Sequence, residues 1–468
     1  DNTGGDGISD LGFPVWTVSK ITENDGMGSS DATTFAYKNG MQDYQDREFR
    51  GFGQVTTTNS EGTVTEHYFH QDDALKGNEY KTIIKDQAGK PYQENRNTWS
   101  SIQTGAVYTN RLITTDSFSY DGIAVNPKQT RITYEYDSYG NVTLEKNWGD
   151  FALVGDELST STSFVYNTIK WIVDKPKNIK LLDSSNNKIK ESWIFYDAST
   201  DNNAVPQKGL VTKEEQWNNT GSNIITGYEY NSFGNVTRQV DSLNRATVFG
   251  YDSTNTFQTT ITNPKNHILT ITYDPATGKK LTETDPNGYV KTNIYDGFGR
   301  IVKEVLPYDS TIYPTTMYEY TLTGNAPAVV KVMKRENTAQ TGTIDAYTIL
   351  DGFGRVIQTR TEAEDVTKQI ATGFSYNGFG KVEKQILPQL VNTGIGYTVL
   401  PSGSKAVDLV FDPLGRVVDI TNPDNTKQGF KYDHWKLTLS DANNHRRVQY
   451  LNAYNQITQI DENKSGVV

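Results

Sequence analysis

Six side chains of acid or amide type recur at the same place in a repeated phrase: Asp137, Asn231, Asp296, Asp351, Asn377 and Asp412. A ladder of carboxylates could perform general acid–base work on a glycosidic bond, which needs two carboxyl groups about 5 to 10 Å apart. Gly-Phe-Gly-Arg, at Gly297–Arg300 and again at Gly352–Arg355, raises a different chemistry, the cradling of a phosphate. A dinucleotide loop, however, runs from a strand through GxGxxG into a helix, and alternating residues, not a helical period, follow these glycines. Arg300, Arg355 and Arg416 fit better over aromatic faces or beside acids. The histidines are His67, His70, His267, His434 and His445. His67 and His70 stand at i and i+3 in "EHYFH", a spacing that sends their rings to opposite faces of a strand. No serine occupies a GxSxG elbow. Cysteine is absent, which excludes disulfides, thiolate zinc sites and a cysteine nucleophile. The best hard-cation candidates are Asp1, Asp6 and Asp10, which could offer oxygen ligands to Ca²⁺; the alternative is a solvated acidic loop.

The elements that would position these groups explain most of them without chemistry. The phrase reads aromatic, Asp or Asn, any residue, aromatic, Gly, polar, Val or Ile. It occurs as "YDSYGNV" (Tyr136 to Val142), "YNSFGNV" (Tyr230 to Val236), "YDGFGRI" (Tyr295 to Ile301) and "YNGFGKV" (Tyr376 to Val382). Looser copies are "LDGFGRV", "FDPLGRV" and "FRGFGQV". Tyr230, Tyr251, Tyr273 and Tyr295 are spaced by 21, 22 and 22 residues, with a second class of turns ("DSLNRA", "NPKNHI", "DPNGYV") between them. An Asp or Asn before a turn can accept hydrogen bonds from backbone N–H groups further on. Glycine at the fifth position supplies a positive φ. The expected turn glycines are Gly53, Gly140, Gly234, Gly299, Gly354, Gly380 and Gly415, and the expected stacking aromatics are Tyr136, Tyr230, Tyr251, Tyr273, Tyr295 and Tyr376. Segments such as "RIVKEVL" then alternate with the period of a strand. One hairpin cannot bury its own apolar face, so units stack.

Composition agrees. The 468 residues hold 39 glycines and 28 tyrosines but 4 methionines, a mixture that favours strands and tight turns. Apolar residues make up 35% and aromatics 11%, with a mean hydropathy of -0.63, which suits thin sheets burying tyrosine rings. A net charge of -11 opposes nucleic-acid binding and a polybasic membrane anchor. No run approaches the roughly 20 apolar residues of a membrane span. The stretch Asp156–Asp174 is the best place for a helix, but its Thr, Val and Ile content favours strand.

The phrase resembles the YD repeat of Rhs proteins, shared with bacterial toxin-complex B and C components and with teneurins. Its copies run roughly from residue 130 to 460. "LGFPVWTVSKIT" (Leu11 to Thr22) and the complete "REFRGFG" (Arg47 to Gly53) look like a segment of insecticidal toxin-complex B components and related virulence proteins. In that family the segment follows a β-propeller region, and "DNTGGDGISDL" looks like the tail of one propeller repeat. "DPLGR" (Asp412 to Arg416) only faintly echoes the family's self-cleavage box, and no cargo enzyme is visible.

These readings give an all-β fold: a repetitive antiparallel hairpin ribbon spiralling into part of a hollow shell. The expected organisation is a propeller-like tail at 1–12, a toxin-complex B-like strand region at 13–130 and a YD/Rhs shell segment at 131–468, with insertions near 150–215, 306–345 and 385–405. The resemblance implies a non-enzymatic wall that encloses a toxic cargo domain before delivery. It needs no cofactor apart from the calcium considered at the N-terminus. Implied partners are the remainder of the shell, the enclosed toxin domain and a channel-forming component, in a secreted or extracellular bacterial protein. The alternative is a cell-surface adhesion module that binds glycan or receptor through exposed tyrosines; a solenoid carbohydrate-active enzyme is a third class.

Overall fold

The computed structural model describes residues 11–322 and 324–463. Among them are 33 strands and no helix. Each strand, from Lys20–Asn24 to Ile457–Asn463, pairs antiparallel with the next in sequence, so the chain is one uninterrupted meander. The ladder runs on across residue 130, where Val107–Ser119 pairs with Lys128–Tyr136. It also runs through the stretches that lack the phrase. These keep their strands and carry the longer connections at 197–210, 306–315 and 393–405. Asp156–Asp174 holds the strand Leu158–Asn167 and the start of Ile172–Asp183, in line with its β-branched content.

The ribbon is thin. Its exposed area is 27210 Å², whereas a compact globule of 52.4 kDa would expose about 17,600 Å². Most strand residues are half-buried. The largest buried apolar cluster is small: Val329, Tyr347, Ile349 and Ile357, with Met27 and Tyr376 against it.

Because every pairing is between consecutive strands, alternate turns fall on opposite edges of the ribbon. The phrase turns (Asp137–Asn141, Asn231–Asn235, Asp296–Arg300, Asp351–Arg355, Asn377–Lys381, Asp412–Arg416, Asn452–Gln456) all lie on one edge, the corner edge. The second class (Asp241–Arg245, Asn263–His267, Asp285–Tyr289, Asn422–Thr426, Asp441–His445) lies on the other. Asp25–Ser29, Asn59–Thr63 and the connections at 120–127 and 151–157 share that second edge.

Candidate functional site

Each corner is built in the same way. In Asp296–Arg300, Asp296 Oδ1 accepts from the Phe298 and Arg300 amides, both at 2.9 Å. The Gly299 amide closes onto the Asp296 carbonyl at 2.9 Å. The ladder slips between Ile294 and Tyr295, so the glycine forms a bulge in the left-handed region. Gly140, Gly234, Gly299, Gly354, Gly380 and Gly415 have φ of 93°, 86°, 75°, 77°, 70° and 70°. Asn455 takes the same place with φ 58°, which asparagine tolerates.

Gly53 differs. It lies inside the strand Glu48–Thr58 and is not among the positive-φ residues; Gly51, at φ 80°, takes that role beside a bulge between Gly40 and Gln42. Its need for glycine is steric, since a Cβ would come within 2.7 Å of Gln71 Oε1. In "REFRGFG" the phrase sits mid-strand, not at a corner.

The repeat tyrosines act as clips. A tyrosine at the corner end of one strand donates its hydroxyl to a carbonyl of the preceding strand, the first one in four of five cases. Tyr136 reaches Leu112 at 2.6 Å, Tyr230 Val211 at 2.6 Å, Tyr251 Val236 at 2.9 Å, Tyr295 Lys280 at 2.9 Å and Tyr376 Val356 at 2.8 Å. Tyr273 instead stacks on Phe257, with ring centroids 5.0 Å apart. The sixth-position arginines join corner to clip. Arg300, Arg355 and Arg416 each bond the Asp of their own corner through Nε at 2.7 Å and lie 4.4, 4.6 and 4.0 Å over Tyr320, Tyr376 and Tyr432. Both expectations for these arginines are therefore met by one geometry.

The ribbon also returns to itself. The Gly352 amide donates to the Asp25 carbonyl at 2.6 Å. The Gly378 amide donates to Glu61 Oε1 at 2.8 Å, across 317 residues. Arg416 Nη2 pairs with Asp121 Oδ1 at 2.8 Å. The Tyr454 hydroxyl reaches the Asp156 carbonyl at 2.6 Å, across 298 residues. In every one of these the corner edge of the later coil supplies the donor and the second edge of the earlier coil the acceptor. Lys128 beneath Trp435, 5.1 Å from the ring, and Met27 in the main apolar cluster complete this seam.

Two glycines exist for the seam alone. Gly352 and Gly378, at the third phrase position, have no positive φ. A Cβ on Gly352 would sit 2.7 Å from the Asp25 carbonyl oxygen, and one on Gly378 only 1.9 Å from Ser60 Oγ. Sequence reasoning missed this edge-to-edge contact and its acceptors Asp25, Glu61, Asp121 and Asp156. The available signal was the first glycine of Gly-Phe-Gly, which the turn itself does not require.

The candidate catalytic groups of the phrase and three of the histidines each have a local partner. Asp137, Asn231, Asp296, Asp351, Asn377 and Asp412 are all engaged by their own corner amides. His67 Nδ1 lies 2.6 Å from Glu79, His434 Nδ1 2.8 Å from Asp433 and His445 Nδ1 2.9 Å from Asp441. Asp43, Asp46 and Asp73 lie close enough together to hold a cation. That place is filled by Arg50, 5% exposed, whose Nη2 pairs with Asp43 at 2.8 Å, Asp46 at 3.1 Å and also Asp73. Asp1, Asp6 and Asp10 lie outside the described residues.

Comparison with known proteins agrees with this geometry. Residues 1–83 match the family of the insecticide toxin TcdB middle/N-terminal region. No curated protein matches the chain. Its fold is similar to a crystal structure of TcdB2–TccC3–TEV, at TM-score 0.81, 12% identity and coverage of 98% of this chain and 36% of that one. A TcdB2–TccC3 crystal structure gives TM-score 0.79, 13% identity and coverage of 92% and 33%. A Photorhabdus luminescens Tc holotoxin pore gives TM-score 0.76, 11% identity and coverage of 92% and 34%. The chain thus spans about a third of the length of these structures. The first 83 residues carry the signature of the TcdB middle/N-terminal region, and the described chain has the β-ribbon fold of toxin-complex B–C structures.

Proposed function

We propose that this chain is a non-enzymatic wall segment of a toxin-complex shell, secreted as part of a larger bacterial protein, which encloses and shields a toxic cargo domain until delivery. The observation that carries the reading is the seam. A thin ribbon whose coils are joined edge to edge is a continuous barrier, and its large exposed area suits a wall with solvent on both faces. The corner carboxylates and arginines are consumed in holding that wall together, which supports a structural role. The partners in this reading are further shell ribbon, the enclosed toxin domain and a channel-forming component. Calcium at Asp1, Asp6 and Asp10 belongs to the same proposal.

Containment is tested by protease protection. A cargo domain produced together with the assembled shell should resist digestion, and should be cleaved once the seam is opened by Asp121→Lys. Equal digestion with and without that change would overturn the reading.

A further inference from the structure

The chain holds no cysteine, so its sulfur chemistry rests on four methionines: Met27, Met41, Met317 and Met333. Among the described residues Met27 alone of these packs against the seam's apolar cluster of Val329, Tyr347, Ile349 and Ile357. Met27 stands at the middle of the turn Asp25–Ser29 on the earlier coil, and the cluster comes from three strands of the later one, Ala328–Arg335, Thr343–Leu350 and Val356–Glu362. Its side chain is half-buried there.

The turn holds it in place. Asp25, 6% exposed, accepts through Oδ1 from the Met27 amide at 2.7 Å and the Ser29 amide at 3.0 Å. Gly26 and Gly28 flank it at φ 71° and 105°. A Cβ on Gly26 would come within 2.7 Å of the Ala326 Cβ, so the turn is pressed onto the later coil on that side too. The Gly352 amide closes the same contact on the Asp25 carbonyl. Met27 is thus the apolar half of a joint whose polar half is the bond from Gly352 to Asp25.

Oxidation would set the two halves against each other. A thioether suits an apolar cluster, whereas a sulfoxide carries a strongly polar S–O bond that loses its water on burial. The side chains of Val329, Ile349 and Ile357 have no hydrogen to donate to it. Half-burial leaves the thioether open to a molecule as small as hydrogen peroxide.

We propose that Met27 is a modification site for hydroperoxides, and that its conversion to the sulfoxide releases the Asp25–Ser29 turn from the later coil. The sulfur lone pair attacks one peroxide oxygen, and an S–O bond forms as the O–O bond breaks. Sulfur loses two electrons, and the hydroperoxide leaves as water or an alcohol. The inference concerns one joint between coils and is independent of whether the wall encloses a cargo.

The probe is hydrogen peroxide, added to the folded chain and followed by peptide mass spectrometry and hydrogen exchange. Met27 should gain one oxygen well before Met333, which is 7% exposed. As it does, exchange at the Gly352 amide should quicken by about tenfold or more, while the strand Val290–Tyr295 keeps its protection. Met27→Leu preserves the apolar contact, so peroxide should leave its Gly352 exchange unchanged even though Met41, 36% exposed, still oxidises. Met27→Gln places a polar group at the same point and should quicken Gly352 without peroxide. The proposal is overturned if Met27 resists peroxide as long as Met333 does, if its oxidation leaves Gly352 exchange unchanged, or if Met27→Leu responds to peroxide as the parent does.

Discussion

Arg416 pairs through Nη2 with Asp121 at 2.8 Å and with Asp412 at 2.6 Å, so a single guanidinium ties its own corner to the coil beneath. Asp121 is 2% exposed at its side chain and Arg416 28%. Asp121→Ala should cost about 2 kcal/mol, less than the loss of a lone buried partner, because Arg416 keeps Asp412. Because each strand pairs only with its neighbours in sequence, the loss should stay at the seam. Hydrogen exchange should quicken at Gly352 and Gly378 while amides of the strand Val290–Tyr295 keep their protection. Uniform quickening along the ribbon, or none, would show that the pair does not hold the seam.

Glycines of one motif should respond differently. Gly299→Val forces a branched residue into the left-handed region and should cost about 1–3 kcal/mol. Gly352→Ala drives a Cβ against the Asp25 carbonyl and should cost a similar amount, about 2 kcal/mol. Gly297→Ala has room and should change stability by less than about 0.5 kcal/mol. Denaturant titration of the three variants gives the ranking, and equal losses at Gly297 and Gly352 would contradict the steric account.

The clip can be removed one atom at a time. Tyr376→Phe keeps the ring beneath Arg355 but loses the bond to the Val356 carbonyl, which should cost about 1 kcal/mol. Tyr376→Ala also removes packing against Val329, Ile349 and Ile357, for about 3–5 kcal/mol. A phenylalanine variant as weak as the alanine variant would place the energy in the hydroxyl instead of the ring.

The pH response should be a broad plateau with two shoulders. Burial would push the Asp296 carboxyl up, but Arg300 and the corner amides outweigh it and hold the group below its usual range. Asp137 is held low against burial by Asn141 and Tyr166. Asp252 is drawn down to about 2 by the Thr254 hydroxyl and then by the Phe257 and Thr256 amides. A lowered carboxyl stabilises the fold above its unfolded value, about 4, and that contribution is lost as pH falls towards 2. Burial, then Asp137, pushes Tyr166 up to about 12, and burial, then Glu304, does the same for Tyr318. Raised phenols stabilise below their unfolded value, about 10, and that contribution disappears as pH climbs through 12. The denaturation midpoint should therefore be flat from about pH 5 to 9. A steady slope across that range would refute the assignment.

Much of this protein was legible in its residues. Tyr, Asp, Gly and an alternating tail fix strand, five-residue corner and strand because each is a local matter: a carboxylate reaches amides two and four residues on, and glycine alone takes the bulge without strain. A period of 21 to 22 residues then makes the units stack. "REFRGFG" misled because the same letters, placed mid-strand, answer to Gln71 and to the carboxylates around Arg50 instead of to a turn. The tertiary structure alone decided which corner meets which acceptor. That pairing depends on how far the ribbon curves before closing on itself, a sum of small twists over the 317 residues between Glu61 and Gly378 that no local pattern encodes. Identical Gly-Phe-Gly corners therefore end in different surroundings, Gly352 against a carbonyl and Gly297 facing open space.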